Sequence, residues 1–410
     1  MGFSEYLVGG AVRDELLQVP VLDRDWVVVG ATPKEMLQRG YIPVGADFPV
    51  FLHPTTKEEY ALARREHKTG SGYHGFSFQT SADVTLEADL GRRDLTINAM
   101  ARAQDGTLVD PWGGRRDLEA RVLRHVSSAF SEDPVRILRV ARFAARFPDF
   151  AVAEETEVLL ASMVEQGEAD TLVPERVWKE LSRGLMEGLP SRMFEVLRKC
   201  GALARILPEV DRLWGVPQRA DYHPEIDTGV HLMMVLDLAA RLAAPLAVRY
   251  ACLCHDLGKG TTPAETLPSH IGHEQRSVQL ARALSGRLRV DTACRELAEV
   301  VAREHGNVHR SAKFGAAAVL RLLDRCDAFR RADRFADTLL ACECDARGRL
   351  GLAEVAYRQR DRLLRALKVA AGVDVAAIAA DLLARGSKGP AIGDAIRAAR
   401  TQALAAELGA

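Results

Sequence analysis

The 410-residue chain has no excess of charge of either sign: 55 Lys and Arg stand against 56 Asp and Glu, a formal net charge of -1. That balance excludes a uniformly basic nucleic-acid coat, so any RNA or DNA partner must be held by local stripes of Arg and Lys. No apolar run approaches the roughly 18 residues of a membrane span; the stretch Leu242–Val248 is closed off by Arg241 and Arg249. The N-terminal Met-Gly-Phe-Ser-Glu-Tyr lacks a basic segment followed by an apolar one, and Tyr6 stands where a myristoylation signal needs Ser or Thr. Seven cysteines, an odd number, do not make a disulfide framework. The pairs Cys252/Cys254 and Cys342/Cys344 lie in helix-like apolar runs, away from zinc-knuckle spacing. We therefore expect a cytoplasmic chain with reduced thiols and no membrane association. Solenoid repeats and low-complexity tracts are also missing, apart from an Ala-rich C-terminal region.

What is present is ample core material, with 48% apolar residues, and a length that suits two or three domains at about 150 residues each. The pattern changes near residue 130. Before it, short β-rich runs (Tyr6–Val8, Asp25–Val29, Pro49–Leu52, Glu59–Ala63, Leu108–Val109) alternate with Gly/Pro turns and short helical stretches. After it, apolar residues recur every three or four positions, as in Val135–Phe147, Glu155–Val164, Ser191–Cys200 and Gly229–Leu242, and prolines punctuate the helices. The expected fold class is α+β: a small mixed or antiparallel sheet with helices, followed by all-α segments.

Chemistry-bearing residues concentrate first at Leu7-Val8-Gly9-Gly10-Ala11-Val12-Arg13-Asp14 and Asp23-Arg24-Asp25. Adjacent glycines between a strand and a helix let backbone N–H groups approach an anion, and the helix N-terminus adds its positive dipole end. Asp23 and Asp25, two apart in a strand, would share one face. Carboxylates that close repel each other and favour a hard divalent cation, which beside phosphates means Mg²⁺. A lone Asp-x-Asp reads more simply as a solvated turn, but the glycine and arginine element just upstream reverses that preference.

A second group lies on one predicted helix. Arg136, Arg139, Arg142 and Arg146 are spaced by three, three and four residues along one face of an otherwise apolar segment. A solvated basic face would interleave Glu or Lys, and the absence of such partners points to phosphate recognition. Asp133 and Arg136, one turn apart, form a template in which a carboxylate accepts and a guanidinium donates. Cytosine and adenine both offer an amino donor beside a ring-nitrogen acceptor and fit it, whereas uracil and guanine present the reverse. Each mismatched buried group costs about 1–3 kcal/mol, enough for useful rejection.

Together these segments resemble the class II tRNA nucleotidyltransferase and poly(A) polymerase branch of the polymerase-beta superfamily. Arg92-Arg93-Asp94-Leu95-Thr96-Ile97-Asn98-Ala99 resembles its R-R-D-x-T-x-N-A element, and Asp110–Leu118 its hinge element. Glu132-Asp133-Pro134-Val135-Arg136 resembles the nucleotide-reading helix, and Pro174–Leu181 the element that braces it. The resemblance implies that Asp23 and Asp25 hold Mg²⁺ for in-line attack of a tRNA 3′-OH on the α-phosphate, with pyrophosphate leaving. It further implies that Gly9, Gly10 and Arg13 hold phosphates, that Asp133 and Arg136 read the base, and that Arg93, Arg139 and Arg142 hold ribose and phosphates. The charged, then Gly-rich stretch Arg64–Gly75 would be the mobile loop that helps the pocket pass from C to A; by composition alone it is a surface loop. Glu59 is a candidate third carboxylate.

In the helical half stand His231, then Cys254-His255-Asp256-Leu257-Gly258-Lys259, then His270, His273, His305, His309 and Asp345. Adjacent His-Asp at a helix end, with a His one helix earlier and an Asp several helices later, supplies N and O ligands for a divalent metal. Any one of these histidines would ordinarily be a polar core or surface residue. His231, His255, Asp256 and Asp345 resemble the H…HD…D pattern of HD-domain metal phosphohydrolases, which implies a site for Ni²⁺ or another transition metal. Gly306 follows His305 where some members are expected to carry Asp, which leaves the ligand role of His305 open.

The combined expectation is a CCA-adding nucleotidyltransferase with an appended HD domain, acting on tRNA with CTP and ATP, as a monomer or homodimer. Its divisions would be a catalytic head at 1–138, a helical neck and body at 139–222, an HD domain at 223–350, and a helical tail at 351–410. The HD domain would act as a 2′,3′-cyclic phosphodiesterase or phosphatase. The alternatives are a poly(A) polymerase, and an HD phosphohydrolase whose head binds RNA without catalysis.

Overall fold

The computed structural model describes residues 3–44, 50–68, 76–79 and 83–409. They form two compact units, Met1–Gly184 with Arg192–Ile206, and Leu185–Ser191 with Leu207–Ala410. No helix among the described residues is long and apolar enough to cross a membrane.

The first unit opens with β1 (Ser4–Val8), α1 (Gly10–Leu16), β2 (Asp25–Val29), α2 (Pro33–Gln38), β3 (Ile42–Val44), β4 (Val50–Leu52) and β5 (Glu59–Leu62). A separate antiparallel pair follows, β6 (Arg65–Lys68) and β7 (Phe76–Gln79). The chain continues through α3 (Leu86–Gly91), β8 (Ala101–Ala103), β9 (Leu108–Val109), α4 (Gly114–Glu119) and β10 (Val122–Leu123). After α5 (Val135–Arg146) come β11 (Ala151–Val152), α6 (Glu154–Glu165), α7 (Pro174–Met186), α8 (Ser191–Lys199) and α9 (Ala202–Ile206).

Seven strands make one mixed sheet in the order β3-β4-β5-β2-β1-β8-β9, in which only β2 and β5 run parallel. The Val-rich β2 is central because both of its faces are covered. Val27 packs with Val8, Leu90 and Ala99 on one side, and Val28 with Met36, Phe51 and Leu62 on the other. Alternation then puts Asp25, at the strand's first position, on the Val27 side. In register it stands opposite Val8 on β1 and Glu59 on β5.

One expectation is corrected here. Asp23 and Asp25 do not share a strand face, because β2 begins at Asp25 and Asp23 lies in the irregular segment before it. Of the expected loop at Arg64–Gly75, residues 65–68 form β6, and 69–75 lie outside the described residues.

The second unit is helical: α10 (Pro208–Asp211), α11 (Thr228–Arg241), α12 (Leu246–Cys254), α13 (His273–Arg287), α14 (Thr292–Arg310), α15 (Ala316–Arg325), α16 (Ala332–Arg347), α17 (Arg358–Ala371), α18 (Val375–Ala384) and α19 (Gly389–Gly409). Leu320, Leu323, Phe335, Leu339, Leu363 and Leu404 share one of its cores. All seven cysteines are free and buried, acting as small hydrophobes. Burial pushes the Cys254 thiol up to about 12, the opposite of what a zinc thiolate needs.

Candidate functional site

Residues from all the head motifs except the hinge element Asp110–Leu118 line one cleft of about 900 Å³ in the first unit: Gly9, Gly10 and Arg13 of α1 and its approach, Asp25 of β2, Arg93 and Asp94, Asp133 and Arg136 around the start of α5, and Arg139 and Arg142 within it. Eleven Arg and Lys side chains against five carboxylates make its described lining strongly positive. Such a cleft in a near-neutral chain concentrates polyphosphate and RNA locally. Asp25 is the carboxylate at its sheet end. Partial desolvation raises Asp25 above the ordinary carboxylate range, the charge of Arg93 opposes that, and nearby Asp23 adds to it. Two repelling carboxylates beside a strongly positive surface suit a hard divalent ion. Glu59, opposite Asp25 in register, is exposed. The groups of three metal-type donors among the described residues all lie in the second unit.

Gly9 has φ 68, and a Cβ there would sit 2.8 Å from Arg93 Nη1. Glycine is thus favoured by the left-handed backbone, and the flexible end of Arg93 occupies the space a side chain would take. The expected cradle of two N–H groups is corrected in part, since the Gly9 N–H donates to the Met100 carbonyl at 3.1 Å.

The arginine helix is also corrected. Its guanidiniums do have acidic partners, but these come from other elements. Arg139 Nε donates to Asp94 at 2.7 Å, Arg142 Nε to Glu180 at 2.7 Å, and Arg146 Nη2 to Asp14 at 2.9 Å. Arg13 also pairs with Asp14 and donates to Asn98, whose amide donates in turn to Asp94 at 3.0 Å. The result is an alternating chain of charges tying α1, the Arg93–Asn98 turn, α5 and α7 together. Burial penalises the Asp94 carboxylate, but the Arg139 charge and hydrogen bonds from Asn98 and the Leu95 N–H override it, holding Asp94 far below the usual range. A helix-local pattern could not reveal partners 38 to 132 residues away.

The Asp133/Arg136 template likewise differs from expectation. Arg136 is buried, with Nη1 on the Ala129 carbonyl at 2.6 Å and Nη2 on the Arg92 carbonyl at 2.5 Å. The guanidinium facing Asp133 is that of Arg176 on α7, in a bidentate pair at 2.9 and 2.7 Å. Arg176 lies in the bracing element, and nothing in the sequence marks it as the partner of Asp133.

In the second unit, five segments bring His231 (α11), His255-Asp256 (after α12), His273 (start of α13), His305 (α14) and Asp345 (α16) together. His231 Nε2 is 3.1 Å from Asp345 Oδ1, and His255 Nε2 is 3.1 Å from Asp256 Oδ2 and 3.8 Å from Asp345 Oδ1. His273 Nε2 and His305 Nε2 approach Asp256 Oδ1 at 3.4 and 3.5 Å. His305, whose role the sequence leaves open, joins the cluster although Gly306 follows it. His273 is a member that the sequence reading did not assign. The close packing of α13 depends on Gly258, where a Cβ would fall 2.2 Å from the His273 carbonyl oxygen.

The neighbours fix the tautomers. Nδ1 of His255 faces the Cys252 carbonyl at 2.7 Å, that of His273 the His270 carbonyl at 2.7 Å, and that of His305 the Val301 carbonyl at 3.1 Å. In the neutral rings Nδ1 therefore carries the proton, which leaves Nε2 as a lone pair. In that form His273 Nε2 and His305 Nε2 face each other at 3.3 Å as two lone pairs. His255 Nε2 and Asp256 Oδ1 are buried without a hydrogen-bond partner. Acceptors pointed at acceptors in a buried site fit a metal ion. Burial disfavours protonation of His255, but Asp256 and Asp345 outweigh it and raise the imidazole to about 9. The field favours positive charge there, carried by a proton or by a metal.

A further layer orients these groups. Glu225 lies 2.9 Å from His231 Nδ1, His309 Nε2 donates to Asp345 Oδ2 at 2.6 Å, and the Tyr357 hydroxyl meets His309 Nδ1 at 2.8 Å. Lys259 reaches Asp256 at 2.6 Å and Gln218 at 2.5 Å. Sequence spacing marks none of Glu225, Tyr357 or Gln218.

Comparison with known proteins finds matches over both units. Residues 5–124 match the poly A polymerase head domain, 149–213 the probable RNA and SrmB-binding site of polymerase A, and 228–336 the HD domain. The chain is 69% identical over 403 residues to the multifunctional CCA protein of Paracidovorax citrulli, covering 97% of this chain and 96% of that one. It is 68% identical over 401 residues to that of Leptothrix cholodnii, covering 98% and 96%. In fold it is similar to the Bacillus stearothermophilus CCA-adding enzyme in complex with CTP, with TM-score 0.68, 21% identity, and 99% and 90% of the chains covered. The Thermotoga maritima CCA-adding enzyme complexed with tRNA gives TM-score 0.63, 21% identity, and 98% and 88% coverage.

Proposed function

The chain belongs to the multifunctional CCA protein family, tRNA nucleotidyltransferases that carry an HD domain, and from that premise we propose how its two sites divide the work. The first-unit cleft adds CMP and AMP from CTP and ATP to the 3′ end of tRNA, in the cytoplasm. The observation that carries this is the gathering of Asp25, the Gly9-Gly10 element, the Arg93–Asn98 turn and the arginines of α5 and α7 in one positive cleft.

Asp23 and Asp25 are the candidates to hold Mg²⁺, which when bound would acidify the tRNA 3′-OH and neutralise the triphosphate. Gly10, Arg13 and Arg93 bind the phosphates, and the Asp94–Arg139 and Glu180–Arg142 pairs keep α5 in place against them. Asp133 accepts a hydrogen bond from the amino group of C or A, while Arg176 keeps its carboxylate ionised and oriented. Arg136, held by the Ala129 and Arg92 carbonyls, stands one turn from Asp133 and is the candidate to serve the ring nitrogen. The 3′-oxygen forms the new bond to the α-phosphorus as the bond to pyrophosphate breaks.

In the second unit, His231, His255, Asp256, His273, His305 and Asp345 are the candidate ligands of Ni²⁺ or another transition metal, because mixed imidazole and carboxylate donors favour softer ions than Mg²⁺. A metal there would activate water for hydrolysis of phosphate esters, including the 2′,3′-cyclic ends that block a 3′-OH. A poly(A) polymerase shares the head, but relatives matching nearly the full length are multifunctional CCA proteins.

Asp23→Ala and Asp25→Ala test the transfer site. Each should lower CMP addition by more than about 10³-fold while CTP binding, followed by equilibrium titration, stays within a few-fold of wild type. Appreciable turnover by Asp25→Ala would overturn the two-carboxylate reading.

A further inference from the structure

The histidine cluster opens into a cleft of about 930 Å³. Tyr222 lines it while 58% exposed, a large aromatic face turned to solvent at the mouth of a metal-type site. Its backbone is fixed: Arg349 Nη1 donates to the Tyr222 carbonyl at 3.1 Å, and the same guanidinium lies 3.9 Å from Asp345. Arg219 lies over the ring, 5.1 Å from its centroid. Farther along the cleft, Arg310 and Lys313 form no ion pair with a carboxylate among the described residues; Arg310 donates to neutral Asn307 at 3.1 Å. Arg349 Nε is buried without a hydrogen-bond partner. An exposed aromatic ring with an arginine on one face is the usual platform for a nucleobase, and uncompensated cations beside it seat a phosphate chain.

We propose that this cleft takes the 3′-terminal nucleotide of an RNA strand, stacking its base on Tyr222 and seating the preceding phosphates on Arg310 and Lys313. This deepens the hydrolase reading of the cluster and rests on it. Because stacking needs a ring and no particular hydrogen bond, the site is indifferent to base identity, in contrast to the first-unit cleft.

The test uses the full chain and a short RNA ending in a 2′,3′-cyclic phosphate, with 2-aminopurine as its last base. Wild type should quench the 2-aminopurine fluorescence, Tyr222→Phe should keep that quenching, and Tyr222→Ala should lose the part that stacking supplies. In hydrolysis assays across Ni²⁺, Co²⁺ and Mn²⁺, Tyr222→Ala should raise KM for adenosine 2′,3′-cyclic phosphate about tenfold, with kcat changed less. Its KM for the base-free glycerol cyclic phosphate should move little. Arg310→Gln with Lys313→Gln should raise KM for the oligonucleotide more than for the mononucleotide and flatten its salt dependence. Equal quenching by Tyr222→Ala and wild type, or equal losses on both substrates, would overturn the proposal. Tyr222-dependent quenching without hydrolysis by wild type in any metal would support the platform and sink the hydrolase reading instead.

Discussion

Asp133 carries more of the proposed selectivity than any other single residue. Its carboxylate is pinned by both Nη atoms of Arg176, so it cannot rotate away from a mismatched base at little cost, and a uracil or guanine carbonyl set against it leaves two acceptors facing. An unmatched buried pair costs about 1–3 kcal/mol, or roughly 5- to 150-fold in rate ratio. Asp133→Ala should therefore compress the ratio of kcat/KM for CTP over UTP by an order of magnitude or more, with a smaller change in triphosphate affinity. If the overall rate falls and the ratio stays put, base choice resides elsewhere. Arg176 belongs to the same prediction as a positioning residue: freed of its partner, Asp133 should discriminate less sharply.

At the scale of elements, Gly258 shows how packing serves the second site. It lies in the Leu257–Thr261 turn, directly against the first turn of α13, and a methyl group 2.2 Å from the His273 carbonyl oxygen cannot be accommodated without displacing that helix. Gly258→Ala should thus pull His273 away from Asp256, lowering metal stoichiometry by mass spectrometry and costing on the order of 2–3 kcal/mol in stability. Retention of full metal content would show that α13 is not what positions the ligand. Glycine in the sequence is legible as a permissive residue, but not as a contact. The same distinction separates what was readable in α5 from what was not. Its amphipathic spacing and arginine stripe were plain from Val135 onward, whereas its counter-charges Asp14, Asp94 and Glu180 come from α1, the turn before β8, and α7. Strands followed the same rule. Val-rich β2 declared itself, while β3 and β8, three residues each, are strands only because neighbours pair with them.

Across the whole molecule, a chain with net charge -1 builds a cleft lined by eleven cations and five carboxylates, so composition conceals the positive surface and folding reveals it. The motifs that name the chemistry were readable because backbone demands and ligand chemistry leave short local marks, as in Gly9-Gly10, Asp23-x-Asp25 and His255-Asp256. His273, His305 and Glu225 were not, because any lone histidine or glutamate is more often an ordinary polar residue, and only convergence of five segments gives these a role. The central claim is that one chain adds C and A, and nothing else, to tRNA without a nucleic-acid template. It is tested by incubating the purified protein with tRNA lacking its last three nucleotides and each labelled triphosphate, singly and together, and resolving the products at single-nucleotide resolution. CTP alone should extend the RNA by two residues, CTP with ATP by three and no more, and UTP or GTP not at all. Long adenosine tails from ATP alone, or comparable incorporation of UTP, would contradict it.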